Sequence, residues 1–173
     1  MQASLRSLLD ILSEPKTQFV IPVFQRVYSW TKRQCDQLWD DMLKANDGST
    51  MHFMGTFIYM PEGEFDGIRR ISLIDGQQRL TTITLMLIAL RDALRASGDE
   101  ACLKEAERID ETYLHASSDA CKLCLSSDDD PTLENLINGT ALPDGIESSK
   151  FLRDNLEVFR SKLNADSDRK SVV

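Results

Sequence analysis

The 173-residue chain lacks several features that would assign it to a common class of protein. No apolar run reaches the roughly 18 residues that a transmembrane helix needs, and no signal-peptide pattern opens the chain. Its four cysteines are too few and too scattered for a disulfide framework. We therefore expect a cytoplasmic globular protein, long enough for one domain or for a domain with a helical extension.

Positive charge is also scarce. The chain has 20 lysine and arginine residues against 28 aspartate and glutamate residues, a formal net charge of −8. Because affinity for nucleic-acid phosphates comes mainly from lysine and arginine, this balance argues against a broad DNA-binding face. Most of the acidic excess follows residue 99, whereas residues 25–33 and 68–79 are locally basic. A local pocket for a small anion remains compatible with the sequence.

Familiar catalytic and metal-binding motifs are missing as well. The sequence has no Gly-x-x-x-x-Gly-Lys-[Ser/Thr] phosphate loop and no Ser/His/Asp set that its spacing supports. Cys121 and Cys124 have the spacing of a zinc-ligand pair, but no second pair completes the site. His52 and His115 are isolated. We interpret all four side chains as ordinary packed or solvated groups.

Hydrophobic periodicity predicts a chain of both helices and strands. Residues 52–60 and 68–74 are predicted to form a hairpin around a turn at residues 61–67. Residues 19–23 are extended, and Pro22 places them at a sheet edge or strand end. An apolar stripe then predicts a central helix buried on more than one side: Leu80, Ile83, Leu87, Leu90 and Leu94.

Helix-start signals complete this outline. Ser4 can cap a short first helix, and residues 31–34 form a capping-box pattern before a second. Two later helices are predicted at residues 101–115 and 150–163. Asp130, followed by proline, is the predicted cap of a short helix between them.

The densest group of chemically capable side chains directly follows the hairpin: Asp75-Gly76-Gln77-Gln78-Arg79. A junction from strand to helix leaves the first N–H groups of the helix unpaired, which suits a phosphate. Gly76 leaves room for a ligand to approach the backbone, and Arg79 supplies a planar fork of donors. Asp75 is a candidate metal ligand, and either glutamine can orient a base, a sugar or a water molecule.

The same spacing also has a purely structural interpretation. Asp75 followed by Gln78 is a capping-box pattern, in which the carboxylate accepts a backbone N–H and the glutamine returns one. Capping leaves Gly76, Gln77 and Arg79 unexplained. Spacing alone keeps both interpretations open.

A second candidate lies earlier, where Gln25 and Arg26 interrupt an apolar and aromatic stretch. Phe24, Tyr28 and Trp30 frame Arg26, an arrangement that can stack on a base or hold a phosphate. The alternative is that Tyr28 and Trp30 are core residues and that Arg26 pairs with a carboxylate.

Together the two segments resemble the paired signature of the GmrSD restriction endonuclease N-terminal domain family: Ile21-Pro22-x-Phe24-Gln25-Arg26-x-Tyr28-x-Trp30 and Ile74-Asp75-Gly76-Gln77-Gln78-Arg79-Leu80-Thr81-Thr82. The resemblance implies a ParB/sulfiredoxin-like α+β fold, a small mixed sheet with flanking helices followed by a helical segment. The resemblance also implies a loop that binds and hydrolyses a nucleoside triphosphate with Mg²⁺. It assigns catalytic roles to Asp75, Gln77, Gln78 and Arg79, with Asp75 also as the metal ligand. It assigns nucleotide binding to Gln25, Arg26, Tyr28, Trp30, Gly76, Thr81 and Thr82.

In that family the activity serves defence against foreign, often modified, DNA, and a separate HNH-like nuclease domain makes the cut. The resemblance therefore implies a regulatory NTP-binding or NTPase domain of a modification-dependent restriction protein, with phage defence as its purpose. We expect a nucleotide-binding core at 1–97 and a helical extension at 98–173, forming the N-terminal part of a longer protein. We expect DNA to be bound by the full-length protein, and a homodimer is a candidate assembly. We do not find the family's later Phe-x-x-x-Asn-x-x-Gly segment or the nuclease domain.

The alternative hypothesis is a non-catalytic module that recognises DNA or a neighbouring domain through the region of Arg26 and Trp30. Folds related to ParB contact DNA or use a nucleotide as a switch. The acidic balance of the chain argues against this alternative.

Overall fold

The computed structural model describes residues 6–46, 55–126 and 128–170. Within these ranges the chain has an α+β fold with a small mixed sheet, as predicted. The helices are α1 (Leu8–Leu12), α2 (Lys32–Asn46), α3 (Gln77–Ser97), α4 (Glu100–Ile109), α5 (Asp130–Asn138) and α6 (Lys150–Lys170). The strands are β1 (Thr17–Val20), β2 (Ile58–Phe65), β3 (Ile68–Asp75), β4 (His115–Ser117), β5 (Ala120–Cys121) and β6 (Leu123–Cys124). The ParB/sulfiredoxin likeness stays a prediction.

Strand β1 lies inside the main sheet, whose order is β2-β3-β1-β6. It pairs in parallel with β3 on one side and with β6 on the other. The extended segment predicted at residues 19–23 is therefore not an edge strand. It ends at Val20, so the missing N–H of Pro22 removes no bond from the ladder. The carboxyl ends of three parallel strands consequently meet at one edge of the sheet.

The predicted hairpin is present as β2 and β3, but its turn is shorter than expected. Strand β2 continues through Pro61, and only Asp66 and Gly67 form the turn, with φ of 51° and 75°. An Asp-Gly pair is favoured in two-residue turns that need a positive φ at both positions. Pro61 is tolerated because β2 is an edge strand with a register shift at this point. The first residues of the predicted strand, including His52, lie outside the described residues, as does Ser4.

Helix α3 is the central helix that the apolar stripe predicts. It is buried along most of its length and packs against α4 and α6. One hydrophobic core extends from Leu12 in α1 to Phe159 in α6 and so includes residues from both sides of position 97. The segment predicted as a helical extension also supplies β6 to the main sheet. In the described part of the chain, no helix is both long enough and apolar enough to cross a membrane.

The helix predicted at residues 101–115 is shorter than its periodicity suggests. Helix α4 ends at Ile109 and is followed by a π-helical turn, Asp110–Leu114. This turn carries Asp110, whose Oδ1 accepts a hydrogen bond of 2.6 Å from Nη1 of Arg91. Arg91 is only 2% exposed, and it also donates to the carbonyl of Ile137 at the end of α5 and to Asp92. The guanidinium therefore connects α3, the π-helical turn and α5.

We predict that Arg91→Met lowers the free energy of unfolding by about 3 kcal/mol, because it removes one partner of a buried ion pair. Urea denaturation of the wild type and the variant measures this change. Arg95→Met is the matched control, since Arg95 contacts the same Asp110 but is 45% exposed. Its cost should stay below about 1 kcal/mol. Equal losses for the two variants would contradict the structural role of Arg91.

Candidate functional site

A small pocket of about 10 Å³, room for about one water molecule, lies at the carboxyl edge of the sheet. Every residue that lines it follows one of the three parallel strands. These residues are Ile21, Arg26 and Tyr28 after β1, Gln77, Gln78 and Thr81 after β3, and Leu125, Ser126 and Asp129 after β6. Both motifs found in the sequence therefore meet here, together with a third segment. Ligands commonly bind at this edge in sheets built on parallel strands.

Two glutamine side chains hold the two motifs against each other. Gln78 accepts a hydrogen bond of 2.9 Å from the backbone N–H of Ser29 and donates one of 3.1 Å to the carbonyl of Val27. In the other direction, Gln25 donates through Nε2 to the carbonyl of Ile74, at 2.9 Å. Each motif thus places a side-chain amide on the backbone of the other. Gln25 and Gln78 position the loops around the pocket.

The start of α3 differs from the predicted capping box. Gly76 is the N-cap residue, with φ of 93°, while the side chain of Asp75 is exposed at the end of β3. The capping-box interpretation is wrong, because the Gln78 amide is bonded to the backbone of residues 27 and 29. A Cβ on Gly76 would lie 2.5 Å from Cδ1 of Phe57. The room left by this glycine holds the Phe57 ring, where the sequence predicted the approach of a ligand.

Arg79 faces a different neighbour from the one predicted. Its Nη2 donates a hydrogen bond of 2.7 Å to the carbonyl of Thr56, and its guanidinium lies 5.1 Å from the centroid of the Phe57 ring. Gly55 lies so close to this guanidinium that a Cβ there would be 1.3 Å from Nη1. Among the described residues, neither Arg79 nor Asp75 lines the pocket. Arg79 instead holds the segment before β2 against α3.

A chain of hydrogen bonds buries three further polar groups behind the pocket. Asn155 Nδ2 donates to the hydroxyl of Tyr28 at 3.0 Å, which lies 2.7 Å from Oγ1 of Thr82. Since Thr82 donates its own proton to the carbonyl of Gln78, its oxygen accepts from Tyr28. Burial raises the pKa of Tyr28, so the hydroxyl stays protonated and able to donate. The predicted nucleotide contacts of Tyr28 and Thr82 are therefore core contacts in this structure.

The other predicted binding residues are divided between the core and the pocket. Trp30 is half-buried against the core, and its carbonyl accepts a hydrogen bond of 2.7 Å from Asn155. Thr81 is 2% exposed and lines the pocket. Arg26 is exposed at the mouth of the pocket, and none of the ion pairs formed within the described ranges involves it. Among the described residues, Arg26 therefore lacks the carboxylate partner that the alternative interpretation predicted.

Gln77 has an environment unlike that of Gln78. It is 8% exposed and lines the pocket, and its Nε2 makes one long contact of 3.5 Å with the carbonyl of Arg26. Its Oε1 is buried and has no hydrogen-bond partner among the described residues. Rotating the amide would place Oε1 against the Arg26 carbonyl, so the unpaired atom is the oxygen. A buried acceptor without a donor is costly and is uncommon in folded proteins.

A comparison with protein families agrees with this arrangement. The model of the GmrSD restriction endonuclease N-terminal domain matches residues 8–171, which include all three segments that line the pocket. The chain belongs to this family. The resemblance inferred from the two motifs is confirmed. No curated protein matches the chain.

Sequence reasoning missed two polar residues at the site of this GmrSD N-terminal domain. Asp129 is 7% exposed and accepts a hydrogen bond of 2.7 Å from the backbone N–H of Tyr28. Asp130, the predicted cap of α5, instead accepts from the backbone N–H of Leu125. Asn155 could have been found from the family pattern. Residues 151–155 match its Phe-x-x-x-Asn part, with valine at position 158 in place of glycine.

We predict that the buried hydrogen bonds behind the pocket are energetically coupled. Tyr28→Phe should cost about 1 kcal/mol of folding free energy, because its former partners keep other bonds. Asn155→Leu should cost about 2 kcal/mol, since it also leaves the Trp30 carbonyl without its donor. A double-mutant cycle measured by urea denaturation should give a coupling energy of about 1 kcal/mol. Strictly additive effects would show that the Asn155–Tyr28 contact contributes nothing.

Proposed function

We propose that this GmrSD N-terminal domain binds a nucleoside triphosphate at the carboxyl edge of its sheet. In this proposal it is the regulatory NTP-binding or NTPase part of a modification-dependent DNA restriction protein. The observation that carries the proposal is the buried and unpaired Oε1 of Gln77, a residue that lies at the N-terminus of α3 and lines the pocket. A buried acceptor without a donor lowers the stability of the free protein. Its presence is explained if a bound ligand supplies the missing hydrogen-bond donor or cation.

The surroundings of Gln77 suit a phosphate. Helix α3 begins at a glycine with no side chain to cap it, so its first N–H groups lie at the positive end of the helix dipole. Such helix ends bind phosphates through backbone N–H groups. Arg26 also lines the pocket and is exposed, and a guanidinium group can bind two phosphate oxygens at once.

The size of the pocket determines which part of a nucleotide it can take. A complete small-molecule site usually encloses roughly 300 Å³ or more. The pocket here is far smaller, about 10 Å³, room for about one water-sized group. In the proposal it therefore takes one phosphate oxygen or one ion, and the rest of the nucleotide lies outside it. The nucleoside then lies over the loop after β1, where Phe24 is 75% exposed. An exposed aromatic ring stacks on any base, and the proposal therefore uses Phe24 in place of Tyr28 and Trp30.

The proposal changes the roles first assigned to the Asp-Gly-Gln-Gln-Arg loop. Gln77 contacts the ligand and is the glutamine placed to orient a nucleophilic water in a hydrolysing state. Gln78 and Arg79 are positioning residues, since their side chains bind backbone carbonyls of neighbouring loops. Asp75 has no contact with the pocket in the described residues.

We predict that Arg26→Ala weakens nucleoside triphosphate binding about tenfold to a hundredfold, the usual contribution of hydrogen bonds to a charged group. A thermal-shift panel of ATP, GTP, CTP and UTP, with and without Mg²⁺, measures binding, because a ligand of the native state raises its stability. Arg33→Ala on α2 is the matched control: Arg33 is also exposed and does not line the pocket. If no nucleotide shifts the wild type, or if Arg26→Ala responds as the wild type does, the proposal is wrong. DNA binding at low salt in place of nucleotide binding would favour the recognition module.

The two adjacent glutamines give a sharper prediction. Gln77→Leu removes an unpaired acceptor, so the free protein should keep its stability or gain up to about 1 kcal/mol. Its nucleotide affinity should nevertheless fall. Gln78→Leu should instead cost about 2 kcal/mol, because Ser29 and Val27 lose their backbone partners. Urea denaturation and the thermal-shift panel together test this contrast, which fails if Gln77→Leu destabilises the free protein as strongly as Gln78→Leu.

A further inference from the structure

Asp129 places a buried carboxylate in the pocket. The residue is 7% exposed and lies between β6 and α5. Its Oδ2 accepts a hydrogen bond of 2.7 Å from the backbone N–H of Tyr28, which fixes the carboxylate against the loop after β1. The side chain also lines the pocket, together with Gln77 and Arg26. Asp129 therefore joins the β6 segment to the site and faces the space that a ligand would enter.

The charge of this carboxylate is not balanced by an ion pair within the ranges that the structure describes. Burying a charge is costly unless it is paired or coordinates a metal. The buried arginine of this protein shows the ordinary solution, because Arg91 is surrounded by two carboxylates and two backbone carbonyls. The carboxylate of Asp129 instead accepts, within the described residues, one hydrogen bond from a backbone N–H.

Gln77 lines the same pocket, and its Oε1 is buried and has no hydrogen-bond partner among the described residues. Mg²⁺ prefers oxygen ligands, and in nucleotide sites it is held by one or two protein groups plus phosphate oxygens and water. No cluster of three His, Cys, Asp or Glu side chains is present in the described part of the chain. A site made of one carboxylate and one amide oxygen is consistent with a metal that arrives with a triphosphate.

We infer that Asp129 and the amide oxygen of Gln77 are the protein ligands of a divalent cation, Mg²⁺, that binds together with the triphosphate. This inference rests on the nucleotide-binding function proposed above. It replaces Asp75 as the metal ligand, because the side chain of Asp75 is exposed at the end of β3 and does not line the pocket. Asp129 then has two roles, since one oxygen positions the Tyr28 backbone while the carboxylate binds the metal.

The test uses Mn²⁺ as a spectroscopic substitute for Mg²⁺. Mn²⁺ is titrated into the full chain, alone and with inorganic triphosphate, and the free ion is measured by electron paramagnetic resonance. We expect one Mn²⁺ site in the wild type and at least tenfold weaker binding in Asp129→Asn. Asp75→Asn and Asp130→Asn should bind Mn²⁺ as the wild type does. Asparagine can still accept the Tyr28 N–H, so Asp129→Asn should keep its urea stability within about 1 kcal/mol.

Three results would overturn the metal assignment: no Mn²⁺ binding to the wild type with or without triphosphate, unchanged binding in Asp129→Asn, or a loss in Asp75→Asn instead. Should Asp129→Asn fail to fold, Gln77→Leu decides the question, because unchanged Mn²⁺ affinity in that variant is equally contrary. Nucleotide binding in EDTA is measured in parallel. Nucleotide binding with Mn²⁺ affinity unaffected by Asp129→Asn refutes the metal site alone, whereas the absence of any nucleotide binding refutes the proposed function and the metal site that rests on it.

Discussion

The site depends on one buried side-chain amide, that of Gln78. The loop after β1 has no regular secondary structure, and its backbone groups at Val27 and Ser29 would otherwise lack partners where they lie against α3. The amide supplies one acceptor and one donor to this loop, much as a neighbouring strand would. Because α3 is the most buried helix of the core, this pairing gives the loop a rigid support. The positions of Arg26 and of the Tyr28 backbone follow from it.

The topology explains why three distant segments reach the same place. Strand β1 has parallel neighbours on both sides, so the residues after β1, β3 and β6 leave the sheet at the same edge. Asp129 and Gln25 then connect these exits through the backbone of Tyr28 and Ile74. Most polar groups around the pocket therefore form hydrogen bonds between the segments that line it. Oε1 of Gln77 differs from them, because no described residue donates a hydrogen bond to it.

Much of the fold could be predicted from local patterns. The apolar stripe of α3, the hairpin and the capping box before α2, where Gln34 accepts from the Thr31 N–H at 3.0 Å, depend on neighbouring residues only. The π-helical turn after Ile109 could not be predicted, because its support by Arg91 comes from another helix. The central position of β1 was missed for a similar reason. Its second neighbour, β6, lies about a hundred residues later and is only two residues long.

For the site, the sequence indicated two of the segments that line the pocket but not the contacts of each side chain. Gln77 and Gln78 are adjacent and chemically identical, and both line the pocket. The Gln78 amide is bonded to the loop after β1, whereas Oε1 of Gln77 has no hydrogen-bond partner among the described residues. Arg79 lies two positions from Gln77 and so projects from another side of the helix, toward Thr56 and Phe57. Asp129 was hidden within an acidic run, where residues 128, 129 and 130 are indistinguishable without the contact to Tyr28.

The acidic character of the chain also affects how an anion can enter the pocket. In the proposed function a triphosphate approaches a protein with a net charge of −8, and Asp129 lines the pocket that it enters. Arg26 alone cannot balance several phosphate charges and a carboxylate, because a guanidinium carries one positive charge. A divalent cation between Asp129 and the phosphates would change that repulsion into attraction, since a bound ion is often the largest local charge in such a site. In the proposed complex, the buried oxygen of Gln77 and the carboxylate of Asp129 would both be ligands of that cation.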